Sequence, residues 1–175
     1  VECSKGTYIR TICEDAGRHL GCGAVMESLC RIASGAFKIE DAIDLYELVD
    51  TYSSRRFEGE KYFVEPAGED ALCEIEKLVL PTDYPLTHFG SAVMDEAMGK
   101  KFIDGWHISF RDCEVTEKPE FEQKEPEFEI RPEYRGAYKM YRRTACGNDF
   151  LGVAFYSPKY KKLVADKVFC RNDEV

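Results

Sequence analysis

Histidine is scarce in this 175-residue chain, with only three, and none of the eight cysteines stands in a CxxC pair. That combination signals neither a zinc site nor a disulfide framework, so the thiols at 3, 13, 22, 30, 73, 113, 146 and 170 are read as reduced. Cys13, Cys30 and Cys170 fall on apolar periodicities, where a free thiol behaves as a small hydrophobe. No stretch approaches the roughly 20 consecutive apolar residues that cross a bilayer. The start at Val1 has neither a charged n-region nor an apolar h-region, and the expected location is the cytoplasm. Internal repeats and heptad series are absent. The single tryptophan, Trp106, is read as a core residue, and His88 and His107 as surface or satisfied polar residues.

What is present is a hydrophobic fraction of 44%, enough for one ordinary domain or two small ones. The net charge of -9 argues at first against a polyanionic partner, but its distribution is uneven. Residues 134–171 hold nine Lys or Arg against two Asp, whereas residues 39–133 sum to -15. A basic C-terminal region with interleaved Tyr138, Tyr141, Phe155, Tyr156 and Tyr160 fits contact with an RNA backbone, or a charged sheet surface without a ligand.

Near the start, a short alternating segment meets Gly6 and then Ile9, Ile12, Cys13, Ala16 and Leu20, the spacing of one helix face. Thr7 is the expected N-cap. Arg10 then occupies the first turn, where a cation opposes the helix dipole and a capping box would place Glu or Gln. Lys5, Arg10 and the free N–H groups together fit an anion. On spacing alone, Arg10 equally fits an exposed pair with Glu14 at i+4. Gly21-Cys22-Gly23 breaks the helix, and Ala24 to Ser34 reads as a strand with Leu29 and Arg31 on one face. Further helices are expected over Ile39–Tyr52, Asp70–Leu78 and Ser91–Lys101. Residues 53–60 read as a loop and Tyr62-Phe63-Val64 as a short strand. The acidic, Pro-spaced segment from Glu114 to Glu133 reads as an extended or disordered loop. Three strand-like runs follow, Tyr138–Arg143, Phe150–Tyr156 and Leu163–Phe169, as in a small antiparallel barrel.

The segment CSKGTYIRTICEDAGRHLGCGAVMESLCRIASGAF resembles the C-terminal half of the TruB family of tRNA pseudouridine synthases. Motif and spacing match together from Val1 to about Ile43. Beyond that, the PTDYPL entry, a helix, the GWHI segment and the final strands resemble the family's PUA-like RNA-binding region in layout only. The resemblance implies an α+β fold: part of a mixed-sheet catalytic domain over residues 1–82, then a small, mostly antiparallel PUA-like barrel over residues 83–175.

The implied activity is isomerisation of one uridine in the TΨC loop of tRNA to pseudouridine, without cofactor. In the family, the arginine at the position of Arg10 pairs with a catalytic aspartate carried by an upstream motif. The sequence given starts after that motif, and Asp15 is not in its place, so these residues by themselves are expected to be inactive. Tyr8 is implied as a substrate contact, or a core aromatic, and Leu29 as the apolar floor of a pocket for the flipped base. Lys5, Arg31, Lys139, Arg142 and Arg143 are the candidate RNA contacts. The family usually has a second basic residue between Leu29 and Arg31, where this chain has Cys30.

The implied partner is tRNA, with no membrane and no metal. Apolar surface left without its sheet is expected to favour self-association. Two other readings remain open: a non-catalytic RNA-binding module, and an acidic domain that binds a basic protein.

Overall fold

The computed structural model describes residues 1–4, 6–126 and 130–169, with the side chains of 56, 57, 62 and 123 outside the description. Contacts divide the chain into Val1–Asp41 and Ala42–Val175. Among the described residues no helix is long and apolar enough to cross a membrane.

In the first unit, α1 runs over Ile9–Leu20, as its apolar spacing predicts. The helix starts later than expected: Tyr8, not Thr7, is the N-cap, and it gives no side-chain cap. Gly21 ends it in the left-handed conformation, φ 71°, which costs a residue without Cβ nothing. The N–H groups of Cys22 and Gly23 then donate to the Gly17 carbonyl at 3.2 and 3.0 Å. The strand expected over 24–34 shrinks to β1 (Ala33–Ser34), a minimal hairpin with β2 (Phe37–Lys38). Alternation alone does not make a strand; a ladder needs a partner, and among the described residues Val25 and Leu29 stay exposed outside any strand.

The expected helix over 39–52 is split. A 3-10 turn at Ile39–Asp41 precedes α2 (Leu45–Tyr52), because the Asp44 carboxylate caps α2 by accepting from the Tyr46 and Glu47 N–H groups at 2.8 and 3.1 Å. The stretch read as a loop forms β3 (Ser53–Glu58), paired antiparallel with β4 (Lys61–Pro66) around Gly59. Its polar Ser-Ser-Arg-Arg sequence hid a strand made by backbone pairing. The third helix, α3 (Glu69–Leu78), lies where expected.

The buried apolar side chains all fall between Phe89 and Leu163. Their frame is β5 (Gly90–Met94), α4 (Glu96–Ile103), β6 (Glu114–Glu117), the short α5 (Glu120–Gln123), β7 (Ala137–Thr144), β8 (Gly147–Ser157) and β9 (Lys162–Val168). The helix expected from Ser91 is thus half strand. A short apolar run buried on both faces has no period to betray it, and Asp95 delays the helix by capping it, accepting from the Met98 N–H at 2.8 Å. The acidic segment is also more ordered than expected, since β6, α5 and a 3-10 turn at Pro132–Gly136 occupy much of it; residues 127–129 lie outside the description.

The sheet order is β6-β5-β7-β8-β9, antiparallel throughout except for the β5–β7 pair. The α+β class and mostly antiparallel sheet follow the expectation. Ile108 bridges Leu163 on the outer side of β9, and at most about 20 Å of chain then leads to β6 at the opposite edge. The sheet therefore curls toward closure, although no ladder joins β6 to β9 among the described residues.

A Cβ at Gly17 would lie 2.2 Å from the Ala24 nitrogen and 2.6 Å from the Ala24 Cβ. Gly17→Ala should therefore open the turn after α1 at a cost of about 1–3 kcal/mol. Hydrogen exchange of the Cys22 and Gly23 amides should accelerate by roughly tenfold or more. Unchanged protection would refute the close packing at Gly17.

Candidate functional site

The start of α1 is an open helix end. Its first turn carries no acidic residue and no capping side chain, so its N–H groups retain the positive pole of the helix. Arg10 adds a full charge there. The alternative pairing with Glu14 is not formed: Arg18 takes Glu14 at 2.8 Å and Asp15 at 3.1 Å, leaving the exposed Arg10 guanidinium with no acid partner among the described residues. Tyr8 and Leu29 are both exposed, and so is Arg31. No hydrogen bond, ion pair or ring contact joins Tyr8, Arg10, Leu29 and Arg31 among the described residues. Lys5 lies outside them. An exposed cation at an open helix end has the chemistry to attract an anion.

The second group of candidates stands on β7, where every cation has an acid. Lys139 and Glu117 both lie opposite Ser91 of β5, forming a row across three strands. Ser91 Oγ donates to Glu117 at 2.7 Å, and Lys139 Nζ lies 3.9 Å from the same carboxylate. Arg143 donates to Glu114 at 2.7 Å in an exposed pair. Arg142 points to the other face and is 8% exposed. Its Nη2 donates to Asp149 at 2.9 Å, while Nε and Nη1 are buried without a partner among the described residues. The guanidinium stem lies under α4, where a Cβ on Gly99 would come within 3.0 Å of it. Glycine at 99 lets the helix rest on the arginine.

Sequence reasoning missed a polar anchor beside this row. The Tyr141 hydroxyl donates to Asp83 in the turn before β5, and burial together with that carboxylate pushes its ionisation well above the ordinary tyrosine range. No local signal could reveal a pair so far apart in sequence. His88 is half-buried against the rings of Phe89 and Phe121, and burial lowers its pKa despite the nearby Glu120 carboxylate. Trp106 corrects the expectation outright, being 63% exposed; its backbone N–H is held by the Lys101 carbonyl at the end of α4, and the core beside it is closed by Ile108 instead. Cys30 is likewise exposed, and Cys170 lies outside the description.

Residues 10–87 match the family model described as the tRNA pseudouridylate synthase B C-terminal domain. Over those residues the chain is similar to the C-terminal portion of the TruB family. A tRNA pseudouridine synthase B of Alkaliphilus oremlandii is 40% identical over 108 residues, covering 62% of this chain and 29% of that protein. One from Clostridium kluyveri is 29% identical over 164 residues, 94% of this chain and 43% of its own length. The chain thus spans less than half the length of these curated relatives. Among solved structures, an archaeal box H/ACA Nop10–Cbf5 complex superposes with a TM-score of 0.62 at 20% identity, covering 96% of this chain and 49% of the other. An H/ACA ribonucleoprotein bound to a substrate RNA containing 2'-deoxyuridine gives 0.61 at 18% identity, with 96% and 48% coverage. These likenesses show that the chain shares its fold with parts of those two complexes.

The two neighbouring arginines should behave differently when removed. Arg143→Ala breaks an exposed ion pair and should cost about 0.5 kcal/mol. Arg142→Ala removes a buried, charge-assisted bond and the packing under α4, and should cost about 2 kcal/mol or more. Urea unfolding of both variants checks the contrast; equal midpoints would refute the structural role of Arg142.

Proposed function

We propose that this chain is the arginine-bearing part of a tRNA pseudouridine synthase that isomerises a uridine of the TΨC loop. The observation that carries the reading is the unpaired Arg10 at an open helix end, within a sequence whose named relatives are tRNA pseudouridine synthases B. In this mechanism Arg10 holds a catalytic carboxylate supplied from outside the given residues, keeping it ionised as a nearby cation does. Tyr8 contacts the substrate, and Leu29 floors the pocket that receives the extruded uracil, with the unstacking cost of a few kcal/mol offset by that apolar contact. Lys5 and Arg31 meet the backbone. The uracil leaves its ribose carbon as the C–N bond breaks, turns, and forms a C–C bond to the same carbon; no electrons are exchanged with a cofactor, and the displaced C5 proton moves to the freed nitrogen.

The division we propose is a catalytic part over 1–82 and a PUA-like RNA-binding domain over 83–175. Support comes from the core, whose buried side chains begin at Phe89. A tRNA substrate places the protein in the cytoplasm. The exposed apolar residues of the first unit, Leu20, Val25, Leu29 and Ile32 among them, support self-association of this chain when it is isolated.

In a protein joining this sequence to its carboxylate-bearing motif, Arg10→Ala should lower turnover of a TΨC stem-loop by about 10²–10³, with RNA affinity nearly unchanged. Undiminished turnover would refute the role of Arg10. The chain alone should form no pseudouridine, and any cofactor-free product from it would overturn the need for an outside carboxylate. Sedimentation should show species larger than monomer as concentration rises; a strict monomer would remove the self-association proposal.

A further inference from the structure

The cations of the second unit fall into two groups. Those on β7 are neutralised, as is Arg135 by Glu125 and Lys100 by Glu96. Among those without an ion pair within the described residues are Arg111 and Lys159, Lys161 and Lys162, the last three in and beside the β8–β9 turn. These four stand beside the exposed rings. The antiparallel bridge between Ile108 and Leu163, with N–H to carbonyl distances of 2.9 and 2.7 Å in the two directions, lays the segment 106–111 against the turn. The rings then meet across the bridge: His107 and Tyr160 at 4.7 Å between centroids, Phe110 and Tyr156 at 5.6 Å. Lys159 Nζ lies 5.1 Å from the centroid of Tyr160. Trp106 flanks the group and is the most exposed of its rings.

Lys161 adds a local observation. It holds φ 51°, the left-handed region that favours glycine or asparagine, and it is the one non-glycine residue to do so among those described. A lysine stands where such a turn favours a smaller residue.

We propose that this surface, made by residues 106–111 and the β8–β9 turn, binds unpaired RNA. Bases stack on Tyr160 and on the flanking exposed rings, and phosphates meet the turn lysines, which have no acid to displace first. A duplex hides the base faces that such rings use, so single strands are the favoured form. The proposal rests on the RNA-modifying reading above, and it places the RNA contact of the C-terminal region here instead of on the neutralised cations of β7.

The test is fluorescence anisotropy of the full chain at low salt with a labelled oligouridylate of about 12 nucleotides, and with a blunt RNA duplex of the same length. Tyr160→Ala should weaken single-strand binding about tenfold, while Tyr160→Phe retains it. Lys159→Ala combined with Lys162→Ala should reduce the magnitude of the salt slope by about 1.4. Lys100→Ala, on a paired surface lysine, should change affinity less than about twofold. Matching melting curves must accompany each comparison. If the turn variants bind like the original chain while Arg143→Ala loses affinity, the surface is overturned and RNA binding itself stands. Preference for the duplex overturns the claim of unpaired RNA. If the original chain binds neither RNA, this proposal and the RNA-binding reading of residues 83–175 both fail, whereas the Arg10 experiment reports on the catalytic part independently.

Discussion

The pairing of β5 with strands on both sides is the constraint on which the second unit depends. Five consecutive residues, Gly90–Met94, are buried, hydrogen-bonded antiparallel to β6 and parallel to β7. A buried backbone must have its N–H and C=O groups satisfied, so β5 cannot exist without both neighbours. Because β7 is parallel to it, the intervening chain has to cross from one end of the sheet to the other. α4, the bridge at Ile108, β6 and α5 are the pieces of that crossing. Glycine at 90 fits the tightest point, where a Cβ would sit 2.8 Å from the Glu117 carbonyl oxygen and the Tyr138 ring.

That arrangement also decides which charges remain available. Setting β6 and β7 on either side of β5 puts Glu117 and Lys139 across Ser91, and lets Glu114 reach Arg143. An acidic stretch and a basic stretch that look like separate features in the sequence thus cancel where they meet. Among the described residues, the cations without an acid include those at the β8–β9 turn and, in the first unit, Arg10 of α1. In each place a cation coincides with groups that suit an RNA: aromatic rings in one, free helix N–H groups in the other.

Local patterns carried α1, α3 and the last three strands into view, because apolar spacing and Gly or Asn turns lie within a few residues of each other. The TruB resemblance named Arg10 and Leu29 through an ungapped run of residues. What was not legible depended on distant partners. Ser91–Met94 has no period of its own, and its identity as a strand comes from residues at 114–117 and 138–142. Ser53–Glu58 is a strand by its ladder with β4, not by its side chains. Ala24–Arg31 shows the reverse case, an alternating pattern that forms no strand among the described residues. Trp106 misled because size alone does not bury a side chain; in its segment the core residue is Ile108. The burial of Arg142 depends on the absence of a side chain at Gly99, which composition does not announce.

Gly152 carries a further consequence. A Cβ there would lie 2.1 Å from the Lys167 carbonyl oxygen, so β8 and β9 approach each other there more closely than any other residue would permit. The adjoining bulge at Val153/Ala154 leaves Asp166 out of register, where its carboxylate accepts from the Tyr134 hydroxyl at 3.2 Å. Sliding one strand along the other would bring a side chain into that gap and break that bond. The hairpin therefore acts as a ruler with a fixed zero: an inserted residue is accommodated in the turn at Pro158–Lys161, not within either strand.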